Sequence, residues 1–544
     1  MAYFFPLTGE IPVNTIQRGE QEEAKTIGLS DGSFVVVWTT YVSDYGPAYV
    51  MMQRYDSSGA PMGENIQVNA ETGPGQVHKE PQVELLDDGS WVVVWQHFDI
   101  YAWPQANSIL AQVFDADGTR KGDEITVVLD DLDKPADPSV TAVSDGAFLV
   151  AWEVVGGPTG WGTEMRAQKA DADGPIGPQI EFETVSPTSK NNAIVTTLSD
   201  GNVALVWMEV VEIARSGHIT ETKAVAQIIT EDGQAIGDEF ELFADNGQRF
   251  VTDVVALPSG EFLVVGNGSP LGGRSSSIVV EKLSNEGEPV KDLFIKPDVG
   301  DGIYNAQLAA LPDGGYAVTY SVLLEDTSVS DEQTDTFLVR FNAFGRQFAD
   351  PYQVNVQSAS GFDSNYSDVA VLADGNVVVA WQGREQLTFS DFDTDVYARI
   401  YNADMYGTGL WDYLVGTDFD DTIFGLGFND VLLGGGGDDH LIGGRSDDTL
   451  DGGIGDDILN GGGGWDEFRF SSGKDRIVRF DDNRDRIVLD GAELGIVGYS
   501  ASEVIDTFGT MVGDIALFDF GEGNILTVNR VADLGLFVDD LIIG

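Results

Sequence analysis

A nine-residue pattern, Gly-Gly-x-Gly-x-Asp-x-aliphatic-x, is laid down six times without a gap, starting at residues 416, 425, 434, 443, 452 and 461. Its sixth position is Asp421, Asp430, Asp439, Asp448, Asp457 and Asp466, and its eighth is Ile423, Leu432, Leu441, Leu450, Leu459 and Phe468. Few folds accept such a rhythm. The glycines make a turn whose carbonyl oxygens face inward, the Asp adds a hard carboxylate, and positions six to eight form a short strand whose aliphatic side chain faces an interior. A flexible glycine-rich linker would leave the aliphatic at every eighth position without a purpose. Turn oxygens and carboxylates repeated at this spacing are what a calcium ion needs, since it takes six to eight oxygen ligands. The match is uneven: Thr417 and Leu426 stand at the second position, and Phe419, Phe428 and Ser446 at the fourth.

Upstream, a longer unit repeats. Asp31-Gly-Ser-Phe-Val-Val-Val-Trp38 recurs as Asp88-Gly-Ser-Trp-Val-Val-Val-Trp95, Asp145-Gly-Ala-Phe-Leu-Val-Ala-Trp152, Asp200-Gly-Asn-Val-Ala-Leu-Val-Trp207 and Asp374-Gly-Asn-Val-Val-Val-Ala-Trp381. Weaker copies lie at Ser259-Gly-Glu-Phe-Leu-Val-Val-Gly266 and Asp313-Gly-Gly-Tyr-Ala-Val-Thr-Tyr320. The anchor glycines 32, 89, 146, 201, 260, 314 and 375 are 57, 57, 55, 59, 54 and 61 residues apart. Each Asp-Gly suits a tight hairpin turn. The β-branched run after it reads as a buried strand, the apolar segment before it (Val83 to Leu86, Val369 to Leu372) as its partner, and Leu110 to Phe114 or Val396 to Tyr401 as a third strand. A short fourth strand follows, as in Asn65 to Asn69 and Tyr352 to Asn355.

Four antiparallel strands repeated seven times predict an all-β chain with a seven-bladed β-propeller over residues 1–402. The last copy lacks a fourth strand. Glu10 to Asn14 is an orphan fourth strand, predicted to complete the last blade and shut the ring, which removes a sheet edge. A linker is expected over 403–415, a parallel β-roll over 416–469 and a β-rich cap over 470–544. The Trp residues 38, 95, 152, 207 and 381 end buried-looking strands, so inter-blade packing is expected of them rather than sugar stacking. The Asp-x-Asp-Gly turns at 115 and 171 lack the glutamate of a helix-loop-helix calcium site and read as hairpin turns.

The array resembles the RTX, or haemolysin-type, calcium-binding nonapeptide repeats of secreted bacterial proteins, and the upstream unit resembles propeller-like repeats that accompany them. In that family each nonapeptide is half a turn of a β-roll, so repeats two apart stack and share an ion. The resemblance implies that Asp421, Asp439 and Asp457 line one edge and Asp430, Asp448 and Asp466 the other. It implies about four calcium sites, with Gly434, Gly436, Gly443, Gly452, Gly455 and Gly461 among their residues, the sites from 434 onward matching the pattern best. A site filled at about one hundred times its dissociation constant contributes roughly 2.7 kcal/mol, so four contribute about 11. Without metal the array is expected to be disordered, having many acids and a thin aliphatic core.

The segments Phe470 to Phe480 and Asp485 to Leu489 resemble the cap that follows such arrays, and the end, Val538 to Gly544, lies where the family carries an uncleaved C-terminal signal for type I secretion. That route accounts for an N-terminus, Met1 to Leu7, with no export signal, and for the absence of cysteine. A net charge of −61, from 29 basic and 90 acidic side chains, excludes nucleic acid as a partner. No apolar run is long enough to span a bilayer. The expected setting is extracellular or at a bacterial cell surface, with calcium and the type I apparatus as partners.

The propeller's own role is open between two readings. In the first it is a non-enzymatic surface, matrix or adhesion module, with self-assembly or a glycan or protein ligand, because the repeats share no catalytic set and loops carry Tyr41, Tyr45, Tyr101, Trp103 and Trp161. In the second it is a polysaccharide lyase with a His and Tyr pair, for which His78, His97 and Tyr101 are the candidates among four histidines that include His218 and His440. Surface histidines without a catalytic role are the expectation. No serine-hydrolase elbow, zinc-protease helix or phosphate loop is present.

Overall fold

A computed structural model describes residues 6–15, 19–42, 46–70, 73–101, 107–130, 134–155, 163–182, 189–213, 219–243, 250–268, 277–295, 302–324, 333–342, 345, 347, 351–355, 362–388, 391–402, 405–407, 410–416 and 420–544. The chain divides into a larger unit, Pro6–Val339 with Pro351–Tyr401, and a smaller one centred on Asn402–Gly544.

The larger unit is all-β and propeller-like. Its anchor glycines 32, 89, 146, 201, 260, 314 and 375 all have left-handed φ, between +69° and +91°, where a residue with a Cβ is strained. At each of them a hairpin closes; around Gly89 the Leu86 N–H donates to Ser90 O at 2.8 Å, while Asp88 Oδ1 accepts from the Ser90 N–H at 2.9 Å. The strands before and after that turn, Gln76–Leu85 and Trp91–Asp99, pair antiparallel, followed by Asn107–Phe114 and Arg120–Asp130. Five sheets have this four-stranded form, and an eight-stranded one is two such sets joined by a single Ala48–Val77 bridge. The strands that begin each set, Glu20–Gly28, Gln76–Leu85, Pro135–Ala142, Ser189–Thr197, Phe250–Ala256, Gly302–Ala310 and Phe362–Val371, touch one another in a closed cycle. All of them line one channel of about 590 Å³.

Apolar clusters fill the spaces between neighbouring sheets. Trp38, Trp95, Trp152 and Trp207 each sit in one, at most 1% exposed, and Trp381 is 2% exposed, so these rings pack sheets together as expected.

The orphan strand adds to the last sheet. Ile11 and Pro12 pair with Ala398 and Tyr397, Val13 N–H donates to Val396 O, and Asn14 Oδ1 accepts the Val396 N–H at 2.8 Å. Pro12 is tolerated because this strand is an edge. The same Val-Asn pair does the same work at Asn69, which accepts from Val50 N–H, and at Asn355, which accepts from Thr336 N–H, both at 3.0 Å. Asn14→Ala leaves the buried Val396 N–H without this acceptor. It is expected to lower the stability of this unit by about 1–3 kcal/mol, read from its urea midpoint; an unchanged midpoint would deny the strand its closing role.

The smaller unit stacks parallel strands in two sheets. Each strand of the array pairs with the one eighteen residues on: Leu432 opposite Leu450, Leu441 opposite Leu459. The eighth-position side chains, Ile423, Leu432, Leu441, Leu450, Leu459 and Phe468, are at most 1% exposed and form one core. This solenoid outruns the array at both ends. Met405–Tyr406 and Tyr413–Val415, in the stretch read as a linker, already pair with Ile423–Phe424 and Val431–Leu433. Lys474–Arg479 and Arg486–Leu489 continue the two sheets beyond residue 469, and Asn524–Asn529 and Leu541–Ile543 pair with them in turn. The helix Ala501–Phe508 packs Val504 and Ile505 on the same core, its start fixed by a Ser500–Glu503 capping box.

Candidate calcium site

Each sixth-position Asp opens a strand at the mouth of a glycine turn, and its two oxygens do different things. Oδ1 accepts the backbone N–H of the Asp eighteen residues earlier: Asp421 to Asp439 at 2.7 Å, Asp430 to Asp448 and Asp439 to Asp457 at 2.8 Å, Asp448 to Asp466 at 3.0 Å. Those bonds place Asp421, Asp439 and Asp457 on one edge and Asp430, Asp448 and Asp466 on the other. Oδ2 is turned the other way. In Asp430, Asp439, Asp448 and Asp457 it is buried with no hydrogen-bond partner. It faces the first-position glycine of its own repeat, at the place a side chain would occupy: at Gly425 a Cβ would stand 2.7 Å from Asp430 Oδ2 and 2.6 Å from Gly443 O. Gly434 has the same surroundings in Asp439 and the Gly452 carbonyl, and Gly443, Gly452 and Gly461 each face the carboxylate of Asp448, Asp457 or Asp466.

An orphaned buried carboxylate oxygen beside a backbone carbonyl is an acceptor set without a donor, and it fits a hard cation. Among the described residues no three acidic or histidine side chains converge. An ion held here therefore draws mainly on turn carbonyls with the carboxylates added, which is what a glycine-rich turn offers. Burial above all pushes Asp439 and Asp448 up to about 8, Asp430 up to about 7, and Asp457 and Asp466 up to about 6; flanking carboxylates add to it and the backbone N–H bond opposes it. Calcium held between the turns would supply the positive charge that lets these acids ionise while buried.

The glycines serve different needs. Gly434, Gly443, Gly452 and Gly461 give space for the carboxylate. Gly455 is left-handed, and a Cβ there would overlap the Gly437 carbonyl. Gly436 lies at the third position opposite Ile454, where a side chain is accommodated. Leu426, Phe428 and Ser446 hold left-handed φ of +74°, +71° and +75° where other repeats have glycine, at a cost of roughly 1 kcal/mol each. Thr417 and Phe419 lie outside the described residues.

Three aspartates that the nonapeptide pattern misses extend the ladder. Asp412 N–H donates to Asp430 at 2.8 Å, and Asp475 and Asp485 accept from Asp457 and Asp466 at 3.3 and 3.1 Å. Their signal was Asp-x-aliphatic without the glycines: Asp412-Tyr-Leu414, Asp475-Arg-Ile477 and Asp485-Arg-Ile487.

In the larger unit the structure brings His78 and His97 together across paired strands, ring centroids 4.6 Å apart. His78 is fully buried, its Nδ1 accepts from Trp95 Nε1 at 3.0 Å, and burial with the neighbouring His97 pushes it down to about 3. It is a neutral core partner of a tryptophan. His97 lies between the Ser108 hydroxyl, at 3.0 Å, and the Gln76 amide oxygen. Tyr101 is 73% exposed, its N–H bonded to Asp99. Tyr41, read as a loop aromatic, instead ends the strand Phe34–Tyr41 and is half-buried, because the β-branched Thr39 and Thr40 carry the strand on past Trp38. Tyr45, Trp103, Trp161 and His218 lie outside the described residues. The channel's acids act as stitches between neighbouring strands: Asp368 accepts from Thr26 N–H at 2.7 Å and Asp253 from Leu308 N–H at 2.8 Å.

Residues 406–441, 415–450 and 442–477 match the family described as RTX calcium-binding nonapeptide repeat, in four copies. Among solved structures, the larger part of the chain is similar in fold to an ulvan lyase of a new polysaccharide lyase family (11% identity, 71% of this chain and 95% of that one, TM-score 0.46). It is also similar to the intramolecular trans-sialidase of Ruminococcus gnavus (9%, 74% and 97%, 0.39) and to the β-propeller domain of the Trilobed protease of Pyrococcus furiosus (10%, 71% and 94%, 0.39). No curated protein matches the chain.

Proposed function

We propose that this chain, a calcium-binding protein by virtue of its RTX repeats, is exported by a type I route, folded outside by calcium, and displays a seven-bladed propeller as a non-enzymatic surface or adhesion module. The observation that carries the calcium-folding part is the row of buried, partnerless Oδ2 atoms at Asp430, Asp439, Asp448 and Asp457, which leaves the roll incomplete without a cation. Among the described residues no helix is long and apolar enough to cross a membrane.

A lyase reading fits the histidines poorly. A general base must reach its substrate and hold a free lone pair, yet His78 is buried against Trp95 and His97 is engaged on both ring nitrogens. The net charge of −61 also opposes acidic polysaccharides. Incubating the calcium-loaded protein with a panel of acidic polysaccharides is expected to give no rise in unsaturated-product absorbance. Turnover abolished by His97→Ala would replace the adhesion reading with the lyase one.

A further inference from the structure

The sixth-position aspartates are not the only ladder in the roll. A second one, built from fifth-position side chains, runs in the opposite direction along the chain. Asp420 Oδ1 accepts the Asp438 N–H at 2.7 Å, Asp438 accepts from Asp456 at 2.8 Å, and Asp456 accepts from Lys474 at 3.0 Å, with the Lys474 ammonium 3.1 Å from its other oxygen. On the other edge Asn429 accepts from Asp447 at 3.3 Å and Asp447 from Trp465 at 2.9 Å. These five side chains are exposed, whereas their sixth-position neighbours are buried. Each turn is therefore clamped forward by residue five and backward by residue six.

The clamp answers a physical problem of the site. Glycine carbonyls and a carboxylate converging on one point repel each other until an ion arrives, and glycines resist ordering more than any other residue. Strand pairing reaches the third position of the turn, as at Gly436 opposite Ile454 and Arg445 opposite Gly463. At positions five and six the backbone N–H groups of stacked repeats bond these side chains instead. Asn429 supplies with an amide oxygen what Asp420, Asp438, Asp447 and Asp456 supply with a carboxylate, so what the position shares is an acceptor and not a charge.

We infer that Asp420, Asn429, Asp438, Asp447 and Asp456 are positioning residues for calcium: they hold successive turns one rung apart so that the sixth-position carboxylate and the glycine carbonyls face each other, and they do not touch the ion themselves. The inference rests on calcium being held by the sixth-position aspartates and goes beyond it by assigning work to a position whose side chains vary.

Trp465 allows the test to be read on one edge. It adjoins Asp466, is 64% exposed, and donates its N–H to Asp447. In the full chain, terbium bound on the Asp430, Asp448 and Asp466 edge is expected to emit by energy transfer from this indole, and Trp465→Phe identifies that share of the signal. Asp447→Ala is expected to raise the terbium concentration at half-maximal Trp465-sensitised emission by about three- to tenfold, one hydrogen bond's worth. Asp447→Asn is expected to stay within about twofold of the unaltered chain, and the number of waters on bound terbium, from decay lifetimes in H2O and D2O, to be the same in all three. The inference is overturned if Asp447→Asn weakens binding as much as Asp447→Ala, which would make charge the cause. It is equally overturned if both variants gain a terbium-bound water, which would make Asp447 a ligand, or if Asp447→Ala binds like the unaltered chain. Failure of the unaltered chain to bind terbium or calcium would instead overturn the calcium reading beneath it.

Discussion

Chelating calcium at pH 7.5 is expected to melt the roll and to leave the propeller-like unit folded. The cause lies in the acids that line the two edges. A carboxyl whose folded-state value lies above its ordinary 3.8 opposes folding once the unfolded chain has ionised it; its penalty is absent below about pH 4, grows as pH rises, and levels off once pH passes the folded value. Asp439 and Asp448, held at about 8 by burial, oppose the folding of an empty roll at pH 7.5, where the unfolded chain ionises them freely. Four calcium ions, the number the repeats imply, would return roughly 11 kcal/mol at one hundred times their dissociation constants, the whole stability of a typical domain, so the metal is expected to decide whether this unit is folded.

The sign of the pH dependence follows. In chelator, stability of the roll falls as pH rises between about 4 and 8, because protons take the place of the missing cation on the acid side. With calcium in excess the dependence is reversed over the same range, since protons then compete with the ion for the same carboxylates. Segment-resolved hydrogen exchange on the full chain at pH 7.5, with and without chelator, is expected to show protection lost from about residue 405 to the solenoid's last strands and kept in the seven hairpin sets. The roll's urea midpoint in chelator is expected to be higher at pH 5.5 than at pH 8. Equal protection with and without calcium, or a chelator midpoint that climbs with pH, would defeat this account.

The repeats were legible because glycine and aspartate mark places where backbone geometry admits little else. The seven hairpins, six of them turning on Asp-Gly and one on Ser259-Gly260, and the strand at Ile11–Pro12 could be read from their turn chemistry and from a missing fourth strand. The extent of the solenoid was less legible, since glycine signals the turn and not the strand: Tyr413–Val415 and Lys474–Arg479 join the sheets with the glycine signature largely gone and only Asp-x-aliphatic remaining. The fifth-position ladder was invisible in the sequence. Asp, Asn and Trp alternate there, and only the eighteen-residue stacking shows that an oxygen acceptor links the first two. His78 drew notice as a chemically capable residue; its burial follows from Trp95 on the neighbouring strand, a fact of pairing that residue type does not carry.

Gly452→Ala is expected to impair calcium binding around Asp457, and Gly463→Ala to leave the roll intact. Both are glycines of the array, and a reading of the pattern as generic flexibility predicts equal effects. Their surroundings differ. A methyl on Gly452 would meet the Asp457 carboxylate, with the Asp457 Cβ only 2.6 Å away, and the obstacle is a buried residue just before a strand, whose Oδ1 already bonds the Asp439 N–H. Asp457 cannot yield without dropping that bond and withdrawing the orphan Oδ2 from the site. Nothing lies within 4 Å of a Cβ on Gly463, and its equivalents in neighbouring repeats are Arg445 and Ile454. Gly452 is therefore glycine for space. Calcium titrations followed by far-ultraviolet circular dichroism are expected to move the half-folding concentration at least tenfold upward for Gly452→Ala, about 1.4 kcal/mol or more. Gly463→Ala is expected to stay within about twofold, the range of a surface substitution. Equal shifts in the two variants would mean that the Oδ2 cradle is not where the ion is held.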